Sequence, residues 1–76
     1  MKNQSLEAVD RQTLAREMIM YRLRSGLTQK EIAAKFGVSR YSILRCETQR
    51  YLGMATLYRL SSQLARAIRE ESLEIL

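Results

Sequence analysis

The sequence predicts an all-α domain of four to five short helices, and three stretches carry that prediction. Thr28 and Glu31 have the spacing of a capping box, which begins a helix that should end at Gly37. Apolar residues recur at i, i+4 and i+7 within residues 14–21, and at i, i+3, i+7 and i+11 within residues 57–68. Each of these two patterns places apolar side chains on one face of a helix.

The length sets the size of the structure. The chain has 76 residues, which we interpret as a single domain with residues 1–4 disordered and residues 69–76 as a C-terminal extension. A domain this small buries only about 60% of its unfolded surface, so a partner subunit would add stability. No apolar run approaches the roughly 20 residues that span a membrane, and no signal-peptide pattern is visible. We therefore expect a cytoplasmic protein that makes no membrane contact.

Catalysis and metal binding are not expected. The chain has no His and one Cys, so a zinc site would need an unusual set of carboxylates. We find no nucleophile–base set, no phosphate-binding glycine loop and no evident small-molecule substrate. We expect no cofactor. Cys46 lies on the apolar side of its helix, and we expect it to pack as a small hydrophobe rather than to sense redox state.

The basic charge is concentrated in the middle of the chain. The net charge is +5, and residues 22–50 alone carry seven basic and two acidic residues, 7 − 2 = +5. Residues 64–76 carry two basic and three acidic residues, 2 − 3 = −1. Charge alone would also fit a solubilising surface. Its coincidence with the central helices favours a polyanionic partner.

Helix 1 has an uncertain start and two apolar stripes. Ser5, Asp10 and Thr13 are all possible N-caps, and the well-defined part runs over residues 13–24. One stripe, the apolar positions within residues 14–21, should face the core. Ile19 and Leu23 form a second stripe. A surface helix of a monomer needs only one apolar stripe, so the second stripe indicates contact with another partner.

The central helices form a pair joined by a tight turn. Gly37 ends the first, Val38 fills the turn and Ser39 caps the second. Ile43 and Cys46 give the second helix an apolar back. Its opposite face carries hydrogen-bonding and charged groups at Arg40, Tyr41, Ser42 and Arg45.

This pattern resembles the phage-repressor and Cro-like (XRE-type) helix-turn-helix DNA-binding family. The signature positions of that family are occupied here by Gln29, Ala33, Gly37, Val38, Ile43 and Glu47. Further matches at the family's spacing are Arg22, Gly26, Leu57, Leu60 and Leu64. The resemblance covers residues 14–64 and implies a lambda-repressor-like fold, whose second central helix enters the major groove.

The resemblance also implies roles for single residues. Arg22 and Glu47 should form a partly buried salt bridge, and Gln29 should bind a phosphate and buttress Arg40. The residues expected to touch DNA are Gln29, Ser39, Arg40, Tyr41, Ser42, Arg45 and Arg50. For Arg40 base contact is preferred to phosphate contact, and for Arg45 both stay open.

Two positions depart from the family. Gln49 stands where the family usually has Gly, so either the loop is strained or the recognition helix ends differently. Leu44 is apolar where the family is often polar. It could meet a thymine methyl group or a neighbouring helix.

The last helix should cover residues 54–68, and either it runs on or a fifth helix follows. We expect a homodimer, because one recognition helix touches too few base pairs for useful specificity. The expected dimer surface comprises Ile19, Leu23, Leu73, Ile75 and Leu76. The competing idea is that the tail caps helix 1 of its own chain.

The expected function is that of a sequence-specific transcriptional regulator, a repressor or controller protein of phage, plasmid or other prokaryotic origin. It would bind a palindromic operator in double-stranded DNA as a dimer. The alternative is an antitoxin, in which the acidic, apolar tail binds a toxin and the same motif regulates its own promoter.

Overall fold

The computed structural model describes residues 10–75, with side chains up to residue 71. In this part the chain forms four helices and no strand: α1 (Arg11–Ser25), α2 (Gln29–Phe36), α3 (Arg40–Glu47) and α4 (Met54–Ile75). The all-α prediction is confirmed.

The helix α1 begins at an aspartate cap. The Asp10 carboxylate accepts hydrogen bonds from the Gln12 amide at 3.1 Å and from the Thr13 hydroxyl at 2.7 Å. These hydrogen bonds lower the pKa of Asp10 because they stabilise its charged form, and the bond from Thr13 has the largest effect. Of the three predicted caps, Asp10 therefore caps α1, whose first residue, Arg11, lies two residues before the expected position 13; Ser5 lies outside the described residues.

The helix α2 has the capping box that its sequence predicted. The Glu31 amide donates to the Thr28 hydroxyl at 3.1 Å, and the Thr28 amide donates to the Glu31 carboxylate at 2.8 Å. Gly37 ends the helix with φ of 71°, a conformation that costs glycine little. The Val38 amide then bonds to the Ala33 carbonyl at 3.0 Å, which closes the turn towards α3.

Ser39 caps the helix α3, and a strained residue, Gln49, follows its end. The Ser39 hydroxyl accepts from the Ser42 amide at 3.1 Å. After Glu47 the chain turns through Gln49, whose φ of 58° is the only positive value among the described non-glycine residues. Of the two alternatives for this position, the strained loop is the one observed. The positive φ costs Gln49 more than it would cost glycine, because the Cβ of Gln49 crowds the following carbonyl oxygen.

The helix α4 is one continuous helix of 22 residues. The predicted end at residue 68 was too early, because no Gly or Pro follows to break the helix. The first of the two expected alternatives, continuation rather than a fifth helix, is therefore observed.

The core lies where α1 and α4 pack on the central pair. It is almost entirely apolar, and the Tyr21 and Phe36 rings stack with centroids 6.2 Å apart. Its members are Leu14, Met18, Tyr21, Ile32, Ala33, Phe36, Ile43, Cys46, Leu52, Leu57, Leu60, Leu64 and Ala67. Val38 and Ile68 pack against this cluster while partly buried. Burial raises the pKa of the Cys46 thiol to about 11, so the group stays neutral at physiological pH, consistent with packing.

The outer side of α1 carries two exposed apolar side chains among polar and charged ones. Leu23 is 65% exposed and Met20 56% exposed, whereas Ile19 is half-buried. Beside this surface, the Arg24 guanidinium donates to the Glu71 carboxylate at 3.0 Å, so the end of α4 lies against α1 of its own chain. Of the predicted dimer residues in the tail, the side chains of Leu73 and Ile75 and all of Leu76 lie outside the described residues.

Candidate nucleic-acid interface

The helix α3 has one buried and one open side. Ile43 and Cys46 are buried. Arg40, Leu44, Tyr41 and Arg45 follow one another around the helix within an arc of about 140°. Tyr41 is 61% exposed and Leu44 37% exposed, and Arg40 is exposed as well. The two outer residues of this arc are arginines, and the two inner ones offer an aromatic ring and an apolar side chain.

Arg45 is not a free cation. Its guanidinium donates to the Tyr51 carbonyl at 2.8 Å and to the Tyr41 hydroxyl at 3.3 Å. It also lies 4.8 Å from the centre of the Tyr41 ring, within the range of a cation–π contact. Arg45 thus joins α3 to the loop that follows it. The i, i+4 spacing of Tyr41 and Arg45 was the sequence signal for this contact.

A carboxylate at the end of α3 binds three helices together. Arg22 donates to Glu47 from Nε at 2.6 Å and from Nη2 at 3.0 Å, so the predicted salt bridge is present. Gln29 donates to the same carboxylate from Nε2 at 3.1 Å. The Glu47 side chain is only 7% exposed and that of Arg22 18%. The hydrogen bonds that Arg22 donates to Glu47 raise the pKa of Arg22, because they stabilise its charged form.

The predicted role of Gln29 needs correction. Among the described residues no hydrogen bond joins Gln29 to Arg40; the amide of Gln29 turns inward to Glu47 instead. The Nε2 group of Gln29 is a donor, and the Glu47 carboxylate accepts from it, whereas the guanidinium of Arg40 carries only donors. Gln29 therefore fixes the position of α2 against α3, and it has only its amide oxygen and its backbone left for other contacts.

A groove at the start of α2 leads to the first residue of α3. It is lined by Gly26, Thr28, Gln29, Lys30 and Arg40, among others. The amides of Gln29 and Lys30, in the first turn of α2, have no acceptor in the described part of the chain, as expected for a helix N-terminus. Lys30 is exposed at this site and was missed in the sequence; its place next to Gln29 was the available signal.

A second groove lies beside α3 and is lined by Tyr41, Leu44, Arg45, Thr48 and Arg50. The Thr48 hydroxyl donates to the Leu44 carbonyl at 2.8 Å, so its proton is already engaged. Next to this groove, Tyr51 is 73% exposed and therefore fills no gap in the core. The Arg11 guanidinium lies 5.8 Å from the centre of the Tyr51 ring.

The two predicted serines are largely occupied. The Ser39 and Ser42 hydroxyls hydrogen-bond to each other at 3.1 Å, and Ser39 also caps α3. Ser42 is half-buried at the edge of the exposed arc. The two residues shape the start of α3, whereas the exposed Arg40 side chain forms no hydrogen bond within the described residues.

The cations near α3 are mostly without acidic partners. Arg22 is paired with Glu47, and Glu31 is engaged in the capping box. In the described part of the chain, Lys30, Arg40 and Arg50 form no ion pair. Their positive charge is therefore available to an external anion.

Comparison of the chain with protein-family models, with curated proteins and with solved structures finds no match. The function has to be inferred from the residues and their geometry. Within residues 10–75 no helix has both the length and the apolar character needed to cross a membrane. The same part of the chain holds no group of three or more His, Cys, Asp or Glu placed to bind a metal ion.

Proposed function

We propose that this protein is a sequence-specific regulator of transcription that binds double-stranded DNA through α3. The observation that carries the proposal is the division of α3 into a buried apolar back and an open face bounded by Arg40 and Arg45. A rigid helix with this profile fits the major groove, which is about 12 Å wide and presents a distinct pattern for each base pair.

The groups around α3 suit different parts of the duplex. Arg40 is exposed at the first position of α3 and forms no ion pair within the described residues, so it can reach a base edge and donate two bonds to guanine. Lys30, Arg50 and the free amides of Gln29 and Lys30 flank the helix on both sides. These groups suit phosphates, which fix the register of the helix but carry little sequence information.

A homodimer completes the proposal. Two recognition helices about 34 Å apart would read two half-sites one turn apart in an operator with two-fold symmetry. Leu23 and Met20 offer an exposed apolar surface on α1, away from the DNA-facing residues, and such patches commonly mark interfaces. The Arg24–Glu71 contact holds the end of α4 next to that surface, so both elements could contribute to one interface.

The antitoxin alternative stays a prediction. It expects a tail that folds only on its toxin, whereas α4 is continuous to Ile75. No feature of the described residues favours it over the regulator. A cytoplasmic, prokaryotic or phage origin is likewise part of the proposal.

Selection of bound sequences from a random duplex pool tests the proposed function. We expect enrichment of one sequence with two-fold symmetry. The affinity for it should fall steeply with salt, because Lys30 and Arg50 from two subunits displace counterions from phosphates. Four such contacts give a slope of about −4 in a plot of log affinity against log salt concentration. A pool that shows no enrichment, or binding insensitive to salt, would overturn the proposal.

A further inference from the structure

The exposed face of α3 has an apolar centre that a purely electrostatic DNA contact does not explain. Tyr41 and Leu44 lie between the two arginines of the arc and line one groove with Arg45, Thr48 and Arg50. Exposed apolar side chains cost little when single. Here, however, the two apolar side chains border one groove that Arg45 and Arg50 also line.

The aromatic wall of this groove is held in place. Arg45 contacts the Tyr41 ring at 4.8 Å and its hydroxyl at 3.3 Å, and is itself anchored on the Tyr51 carbonyl at 2.8 Å. A tyrosine on an exposed helix would otherwise sample several rotamers. The anchor therefore gives the groove a fixed shape before any ligand arrives. The Thr48 hydroxyl points its donor at the Leu44 carbonyl, which leaves this end of the groove without a free hydroxyl proton.

The chemistry of the groove selects its ligand. A suitable ligand combines an apolar group with surrounding negative charge, since Arg45 and Arg50 line the groove beside Tyr41 and Leu44. Among the base edges of the major groove, only thymine presents an apolar group, its C5 methyl. The phosphates of the duplex supply the negative charge.

We propose that the groove between Tyr41 and Leu44 receives the C5 methyl group of a thymine in each operator half-site. Arg45 acts as a positioning residue for Tyr41 and does not itself read a base. The inference rests on the proposed function and adds to it a named base and the side chains that select it.

The test replaces thymine by deoxyuridine, which removes the methyl group and leaves every hydrogen-bonding group in place. Each thymine of the selected operator is replaced in turn, and the affinity of the intact protein is measured by fluorescence anisotropy at fixed salt. At one position per half-site we expect the affinity to fall about fourfold, which corresponds to the free energy of burying one methyl-sized group. Replacement at both symmetric positions should lower the affinity about fifteenfold. 5-Methylcytosine, opposite guanine, should bind better than cytosine at the same position.

Variants identify the groove as the site of the effect. Leu44→Ala should bind the thymine and deoxyuridine operators with equal affinity. Arg45→Lys keeps the charge but cannot bridge Tyr41 and Tyr51, so it should reduce the thymine preference at least twofold. Met54→Ala removes a half-exposed apolar side chain from the start of α4 and should keep the full preference. Circular dichroism of each variant verifies that it is folded.

The outcomes separate this inference from the proposed function. A random pool without enrichment would overturn both. Selective binding that is unchanged by deoxyuridine at every thymine would overturn the methyl-binding groove alone. A methyl effect that survives Leu44→Ala would place the contact elsewhere and overturn the role of Leu44. Loss of dimerisation in Leu44→Ala, measured by sedimentation, would show that a neighbouring subunit occupies the groove instead.

Discussion

Replacement of Arg22 by Met should destabilise the protein far more than replacement of Glu47 by Gln. Arg22→Met leaves a carboxylate that is 7% exposed with one remaining described hydrogen bond, from Gln29. Leaving a buried charge without its ion partner costs about 3–5 kcal/mol. Glu47→Gln leaves the guanidinium of Arg22, which is 18% exposed and can reach water. We expect that change to cost only about 1–2 kcal/mol.

These costs are large for so small a domain. A chain of 76 residues should have a free energy of unfolding of about 4–11 kcal/mol. With a urea m-value of about 1 kcal/mol/M, a loss of 3 kcal/mol moves the unfolding midpoint by about 3 M. Urea titrations followed by circular dichroism at 222 nm measure both variants under the same conditions.

The double variant provides the control. Arg22→Met with Glu47→Leu removes both charges and should lie closer to the wild type than Arg22→Met alone, because no unpaired buried charge remains. If Arg22→Met shifted the midpoint by less than Glu47→Gln, or if the double variant were less stable than Arg22→Met alone, the reasoning about burial of the carboxylate would be refuted.

Three further predictions concern the loop, the core thiol and the dimer. Gln49→Gly should raise the free energy of unfolding by about 0.5–1 kcal/mol by relieving the positive φ, and Gln49→Ala, which keeps a Cβ, should not; equal midpoints for the two would contradict this. Folding raises the pKa of the Cys46 thiol from 9.0 to about 11, so between these two pH values the unfolded chain loses the thiol proton and the folded protein keeps it. The contribution of the neutral thiol to the free energy of unfolding is therefore complete below pH 9 and is lost as the pH rises to 11. Over this range the free energy of unfolding should fall by on the order of 2 kcal/mol more in the wild type than in Cys46→Val. By sedimentation, the protein should be a dimer at tens of micromolar, and both Leu23→Glu and a chain ending at Arg69 should be monomeric; a dimer that survives both changes has its interface elsewhere.

The helices of the central pair were predictable because local chemistry determines them. The capping box at Thr28 and Glu31, the glycine at position 37 and the cap at Ser39 act within a few residues of sequence. The start of α1 was ambiguous for the same reason, since three residues could each cap a helix. The structure selects Asp10, whose carboxylate binds both the Gln12 amide and the Thr13 hydroxyl.

The roles of long polar side chains were harder to predict. Gln29 could reach a phosphate, Arg40 or Glu47 from its place in the sequence, and the choice of Glu47 depends on how α2 packs against α3. Arg45 likewise has many rotamers, and its contact with the Tyr51 carbonyl depends on the path of the loop through Gln49. Sequence spacing identifies the face of a helix, whereas the partner of a side chain on that face is decided by tertiary structure.

The most direct test of the central claim is the ratio of operator to scrambled-DNA affinity, measured for the wild type and for Arg40→Ala at one salt concentration. The proposed base contact predicts that Arg40→Ala lowers this ratio about fivefold or more for each half-site, since a bidentate contact to guanine discriminates by about 1–3 kcal/mol. Arg50→Ala, the matched control, should weaken both affinities together and leave the ratio unchanged. A ratio that stays the same in Arg40→Ala would contradict the claim that α3 reads sequence through its exposed arginine.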